Sequence, residues 1–223
     1  MEIVYENKEI CAKCGGKCCK SGGCQYAPED FESLKFDYLL AKLQEGYISI
    51  VSVLDFQEIN GKLIAIPFLY VKARNSGRPI IDLLSMRTAC SALTENGCRY
   101  DFEHRPSGGV NLIPGENGTC YREKDPLEFI NMWQPQQQVL RKLTKRIAGK
   151  SVEAQLREDA YHLFKDIFAQ KFDGVNVLEI QEVLSGLPEL ARAFPEEYKK
   201  AYAEHNLLFP NDFTRKRTQK NFG

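Results

Sequence analysis

The chain has 223 residues, 43% of them apolar and 27% charged, the profile of an ordinary globular protein able to bury a full core. Its 30 basic and 30 acidic residues cancel, so the overall positive field that draws proteins to nucleic acid is missing and no such partner is expected. The longest apolar run, Leu63 to Val71, is nine residues and contains Pro67; a bilayer takes about 20, so no membrane partner is expected either.

The opening Met1-Glu2-Ile3-Val4-Tyr5-Glu6 carries acids and no apolar stretch, unlike a secretory signal, which points to a cytoplasmic protein. Thiols stay reduced there, and clustered cysteines serve as metal ligands more often than as disulfides.

Residues 1–27 read as an irregular segment rich in Gly and Cys. Pro28 and Gly46 then bracket a predicted helix, with Phe31, Leu34, Tyr38 and Ala41 on one face. Two strand-like runs follow, Tyr47–Ile59 and Lys62–Ala73. They are separated by Asn60-Gly61, a pair that tolerates positive φ and marks a hairpin. Pro67 assigns its part of the second run to an edge or a bulge. The stretch from about Arg74 to Pro126 reads as loop-rich. Beyond it, Val139, Leu140, Leu143 and Ile147 form a helical stripe closed by Gly149. Leu156, Ala160, Leu163, Phe164, Ile167 and Phe168 form a second, with Ser151 as N-cap. Asn176 and Glu179 have capping-box spacing for a third helix ending near Gly186, and Pro195 starts a last one through His205. The basic tail Arg215-Lys216-Arg217-Thr218-Gln219-Lys220 reads as a solvated chain end.

All eight cysteines lie between residues 11 and 120. Cys11, Cys14, Cys18, Cys19 and Cys24 place five thiols within fourteen residues. Cys11 and Cys14 form a Cys-x-x-Cys turn, which lets two sulfurs converge on one metal, and Gly15 and Gly16 let backbone amides approach those sulfurs. Lys13, Lys17 and Lys20 offset thiolate charge. Vicinal Cys18-Cys19 points its thiols in different directions, so the pair suits two neighbouring sites, or one ligand beside a structural or redox-active thiol. Cys90, Cys98 and Cys120 are the expected second group, with Glu95-Asn96-Gly97 as a turn folding Cys90 and Cys98 together. Eight thiols suit two four-sulfur sites, or one such site and a second with an open position; spacing does not choose.

The Cys11–Cys19 cluster, Cys90, Gly97-Cys98 and Arg105-Pro106 together resemble the YkgJ-like cysteine-cluster family, whose CxxCxxCC domain is described as zinc- or iron-chelating. The resemblance covers residues 8–125 and implies a centre of zinc or of an iron–sulfur cluster, of the four-iron, four-sulfur type if iron. The chain departs from the family pattern at several points. Three residues, not two, stand between Cys14 and the Cys18-Cys19 pair. One extra residue follows Cys98, and Phe102 takes the place of a common Tyr. Gly109 stands where the family has a further cysteine, so that Cys24 or Cys120 replaces that ligand or the centre keeps an open position. The flagellin lysine methylase carries a similar four-cysteine cluster. Through it the resemblance extends to a second reading, an iron–sulfur enzyme using S-adenosylmethionine to modify a protein or peptide substrate, although the chain has no Gly-rich fingerprint for that cofactor. A third reading is an interaction module in which zinc is only structural.

His104 and Arg105 are candidate cofactor-contacting residues, His104 as ligand or proton carrier and Arg105 as a partner for thiolate or carboxylate charge. His162 and His205 fall in helical patterns and read as surface or satisfied side chains. Trp133, the only tryptophan, is expected to anchor the core between the two parts. Ser107-Gly108-Gly109 reads as an ordinary turn. The fold expected is α+β, with a cysteine-rich metal-binding nodule and a β-hairpin over residues 1–125 packed against a helical bundle over residues 126–223.

Overall fold

A computed structural model of the chain describes residues 19–20, 23–74, 80–84, 89–94, 97–115, 120–171, 181 and 184–208. The architecture is α+β. A 3-10 turn (Pro28–Asp30) precedes helix α1 (Phe36–Gln44), which leads into a long hairpin of β1 (Ser49–Ile59) and β2 (Lys62–Lys72). Strand β3 (Ile80–Ile81) pairs in parallel with the start of β1, giving the order β2-β1-β3. Two small antiparallel pairs follow, β4 (Leu93–Thr94) with β5 (Gly97–Cys98), and β6 (Leu112–Pro114) with β7 (Cys120–Arg122); the single-turn helix α2 (Ser107–Val110) precedes β6. The chain then runs through α3 (Pro126–Asn131), α4 (Gln137–Ala148), α5 (Val152–Phe168), α6 (Leu187–Ala193) and α7 (Pro195–Leu208). Among the described residues no helix is long and apolar enough to cross a membrane.

The hairpin forms where its sequence directs it. Asn60 (φ 52°) and Gly61 (φ 73°) make the two-residue turn, and the register runs unbroken from Ile59 opposite Lys62 to Ser49 opposite Lys72. Pro67 faces Leu54 without a bulge. Leu69, Val71 and Ala73 send their backbone groups outward from β1, and Pro67 belongs to the same alternating set, so its missing N–H falls on the outer edge.

That outer edge is closed by partners from both halves of the chain. Gln137, the first residue of α4, accepts from the Leu69 N–H through Oε1 (2.9 Å), and its Nε2 donates to the Leu69 carbonyl (2.7 Å) and the Trp133 carbonyl (3.1 Å). Farther along, the Tyr26 N–H donates to Val71 O (3.0 Å) and the Ala73 N–H donates to Cys24 O (2.8 Å).

The core is built on this sheet. Ile50, Val51, Leu69 and Val71 pack with Leu39 and Leu43 of α1, Leu140 and Leu143 of α4, and Leu156 and Phe164 of α5. Trp133 is fully buried, meets Phe31 edge-on at 5.7 Å, and donates its Nε1–H to the Tyr26 carbonyl at 2.7 Å, the anchoring role expected of it. Helices α4 and α5 follow their stripes: Gly149 (φ 70°) ends the first, and Ser151 Oγ caps the second by accepting from the Ala154 N–H. The last helix starts at Pro195 as expected, and its Tyr198 sets its ring edge-on to Phe164 and Phe168 of α5.

One helix expectation needs amendment. The single helix from Pro28 to Gly46 is broken: Phe31 is extended (φ −114°, ψ 133°) and α1 begins only at Phe36. The Asp30 carboxylate is engaged at Ala27 N (2.7 Å) and at Ser107, and Phe31 turns inward between Tyr26 and Trp133, so tertiary partners stop the helix after one turn. The Asn176–Glu179 capping box lies outside the described residues. Helix α6 was not foreseen, being seven residues long with only Leu190 buried.

Asp159 ties α5 to the segment after β3. Its Oδ2 accepts from the Leu83 N–H (2.9 Å) and its Oδ1 from Gln155 Nε2 (2.7 Å), yet burial pushes the carboxyl up to about 6. A carboxyl raised in the fold is best tolerated while protonated. Its contribution to stability is therefore complete below pH ~4 and declines as pH climbs through about 6, by ~3 kcal/mol at most. Asp159→Asn should abolish this slope, so the gap between the urea midpoints of variant and wild type should widen in the variant's favour from pH 4 to pH 7. Gln137→Ala, which leaves both Leu69 backbone groups without their partner, should cost about 1–3 kcal/mol in the same denaturation assay.

Candidate metal centre

The end of β2 gathers the cysteines. Residues 24–26 lie along its outer edge as an extra strand-like segment, with Gln25 bridged to Lys72. A Cβ at Gly23 would stand 2.1 Å from the Ala73 carbonyl oxygen and 3.4 Å from Cys90 Cα, so only glycine lets the chain enter this edge. On the other side of the same residue, the Ser91 N–H donates to Ala73 O (3.3 Å), and Ser91 Oγ donates to the Tyr47 carbonyl. The Cys90 N–H donates to Cys19 O at 2.7 Å. Ala73 therefore holds Cys24 through its N–H and Ser91, the neighbour of Cys90, through its carbonyl. Cys98 arrives on β5 opposite Leu93, and the adjacent Arg99 N–H donates to Ala92 O (2.8 Å).

The result is a small cluster apart from the main core. Buried Ala73, Cys90 and Ala92 are surrounded by Cys19, Cys24, Cys98, Tyr26, Leu93 and Tyr100. The sulfurs interact directly. Hydrogen bonds from Cys19 and then Cys24 hold the Cys90 thiol far below its usual range, and the bond to Cys90 together with burial pushes Cys24 up. Negative charge is thus favoured on Cys90, while Cys24 keeps its proton. The Tyr26 hydroxyl, bonded to Tyr100, is also pushed upward, chiefly by burial. No disulfide links the described cysteines Cys19, Cys24, Cys90, Cys98 and Cys120 to one another.

Of the predicted ligands, the structure brings Cys19, Cys24, Cys90 and Cys98 together. Cys11, Cys14 and Cys18 lie outside the described residues. Cys120 opens β7 opposite Pro114 and is not among the residues packed around Cys90. Among the described residues no three His, Cys, Asp or Glu side chains stand in an arrangement that would hold a metal ion. The donors fit such a group in kind, being soft sulfurs with one favouring its anion, but the four thiols packed together here do not by themselves make a cage.

Helix α2 closes one side. Ser107-Gly108-Gly109, expected as a turn, is its first three residues. The Asp30 carboxylate accepts from the Ser107 N–H (3.0 Å) and Oγ (2.7 Å), and the Gly108 N–H donates to Gln25 O (3.0 Å). A Cβ at Gly108 would meet that Gln25 oxygen at 2.5 Å, so a side chain there would lift α2 off the Cys24 segment. Gly109 faces the thiols: a Cβ there would stand 3.5 Å from Cys24 Sγ and 3.7 Å from Arg105 Cβ.

His104 is exposed on a 3-10 turn and its Nδ1 lies 2.5 Å from Asp101 Oδ1; this carboxylate holds the imidazole above its usual range. Arg105 roots beside Gly109, with its guanidinium 5.9 Å from the Phe102 ring. His162 and His205 make ring contacts with Tyr161 and Phe168 respectively. The residues not foreseen are Gly23, Ala73, Tyr26 and Tyr100. Two carried a legible signal: Gly22-Gly23 before Cys24 marks close backbone approach, and Tyr26 shares a face with Cys24 in any extended segment.

Comparison with protein-family models, with curated proteins and with solved structures gives no match to this chain.

Gly23→Ala should disturb this cluster selectively. Its Cβ would overlap a main-chain oxygen that cannot swing away, so we expect a loss of about 1–3 kcal/mol in stability and markedly faster alkylation of Cys90 by iodoacetamide, followed by peptide mass spectrometry.

Proposed function

We propose that this protein binds zinc or an iron–sulfur cluster through its clustered cysteines. The observation that carries the reading is the convergence of Cys24 with Cys90, from distant parts of the chain, on one buried patch with Cys19 and Cys98 beside them. Four thiols packed together repel one another once ionised. A bound cation removes that repulsion and holds several thiolates at once. Sequence adds Cys11, Cys14 and Cys18, immediately before Cys19, to the ligand set. On this reading residues 1–125 are a metal-organised region supported by the helical residues 126–223, and the protein works in the reducing cytoplasm. The resemblance to the YkgJ-like family supports the same reading.

Backbone amides bond the Cys90 thiol, and the Tyr26–Tyr100 hydroxyl pair lies beside the sulfurs. When bound, the metal supplies either a closed thiolate cross-link or, as an iron–sulfur cluster, one-electron chemistry.

Anaerobic purification with elemental analysis and an absorption spectrum tests the proposal. Zinc gives a colourless protein and an iron–sulfur cluster a brown one. Cys90→Ser should lower metal affinity at least about tenfold, on the scale of lost coordination partners, and should lower stability in parallel, because binding to the folded chain is linked to folding. A wild-type protein free of metal after reconstitution with either zinc or iron and sulfide, or a Cys90→Ser variant that holds its metal as tightly as wild type, would refute it.

A further inference from the structure

We infer that a second copy of this chain pairs with the outer edge of β1, strand against antiparallel strand, about a two-fold axis at Phe56. The Ser52 N–H donates to Leu83 O (3.3 Å) and the Asp82 N–H to Ile50 O (3.1 Å), so Ile50 and Ser52 turn their backbone groups away from β2. Strand alternation gives Leu54, Phe56 and Glu58 the same direction. Strand β3 reaches only Ser49 and Ile50, and the chain turns at Leu83-Leu84, so these three meet no strand among the described residues. The other edge of the hairpin is closed: Pro67 has no N–H there, and Leu69 and Val71 are taken by Gln137 and Tyr26. Strand β1 carries neither a proline nor a lysine to blunt its edge. One face of the hairpin beside it exposes Ile59, Ile64 and Ile66.

The occupant is a second copy because this edge complements itself in one register. With Phe56 opposite Phe56, Leu54 lies opposite Glu58, and each pair exchanges two backbone hydrogen bonds. Asp55 then faces Gln57, whose Nε2 already donates to Asp55 Oδ2 (2.6 Å) within the chain. Exposed Ile59 comes over half-buried Val53 of the second copy. Neighbouring registers fail. An axis at Asp55 sets that carboxylate against its own copy, and an axis at Glu58 does the same there. An axis at Leu54 needs the Ser52 N–H that Leu83 holds, and one at Gln57 loses a pair to the turn residue Asn60 (φ 52°).

The test is sedimentation velocity on the full chain, with a phosphine reductant so that no disulfide joins two molecules. At concentrations up to about 0.5 mM, which covers weak specific contacts, wild type should move from 25.5 kDa toward twice that mass. Gln57→Asp sets like charges opposite each other twice per dimer and should raise the dissociation constant about fivefold. Gln57→Lys sets two ion pairs with Asp55 in the same places and should lower it by about the same factor. Glu58→Pro removes an N–H that points away from β2, so the hairpin keeps its own bonds while the dimer loses one at each end; this variant should stay monomeric. Unchanged Trp133 fluorescence reports that all three variants are folded. A wild-type protein that keeps its monomer mass throughout the series overturns the inference. An association that ignores both Gln57 substitutions also overturns it, because the contact then lies on another surface.

Discussion

The thiol cluster depends on two main-chain hydrogen bonds made by one residue at the end of an edge strand. Ala73 offers its N–H to Cys24 and its carbonyl to Ser91, and it is completely buried in doing so. Buried backbone groups must find partners, so a strand that ends inside the protein with an unpaired edge recruits whichever segments can lie against it. Here those segments carry Cys24 and Cys90. The side chain at 73 adds little beyond being small. The arrangement is held by the backbone and by Gly23, whose missing Cβ is what allows the approach. Ser49 secures the same strand end from the β1 side, its hydroxyl donating to the Arg74 carbonyl at 2.9 Å.

Folding and site assembly are therefore sequential in physical terms. The hairpin closes over a two-residue turn with a small loop-closure cost, and it presents the outer edge of β2 as a template. Docking of residues 24–26 and 90–91 then closes much longer loops, which needs a preformed partner surface to offset the lost chain entropy. The short β4–β5 pair, which begins three residues beyond Cys90, carries Cys98 into the same cluster.

Sequence alone made the hairpin, α4, α5 and the last helix legible, because each is written in local chemistry: Asn60-Gly61, Gly149, Ser151 and Pro195 mark their ends. What was not legible was set by distant contacts. The Pro28–Gly46 pattern is helical along its length, and its interruption follows from Asp30 reaching Ser107. Among the thiols, spacing showed that two groups existed and suggested that they converge. It did not separate Cys98, beside Cys90, from Cys120, on a different pair of strands, because that distinction depends on which hairpin folds toward the end of β2. Tyr100 escaped notice for the same reason: an isolated tyrosine acquires meaning only when distant contacts set it beside Tyr26 and the thiols.

The cysteine-free helical half is also part of the site, though it supplies no donor. Strand β2 has one outer edge, and neighbouring stretches of its last part are held by different halves of the chain: Leu69 by Gln137 of α4, and Val71 to Ala73 by residues 24–26. Trp133 joins the two directly, since its indole is buried against the core while its Nε1–H grips the Tyr26 carbonyl between those contacts. Tyr26 thus donates its N–H to the strand, accepts from the helical half, and sets its hydroxyl beside the thiols. Loosening α4 would free the strand edge and the Cys24 segment together. The packing of helices that never touch a sulfur therefore governs how rigidly the sulfurs are held, and rigid placement distinguishes a selective metal site from a loose group of reactive thiols.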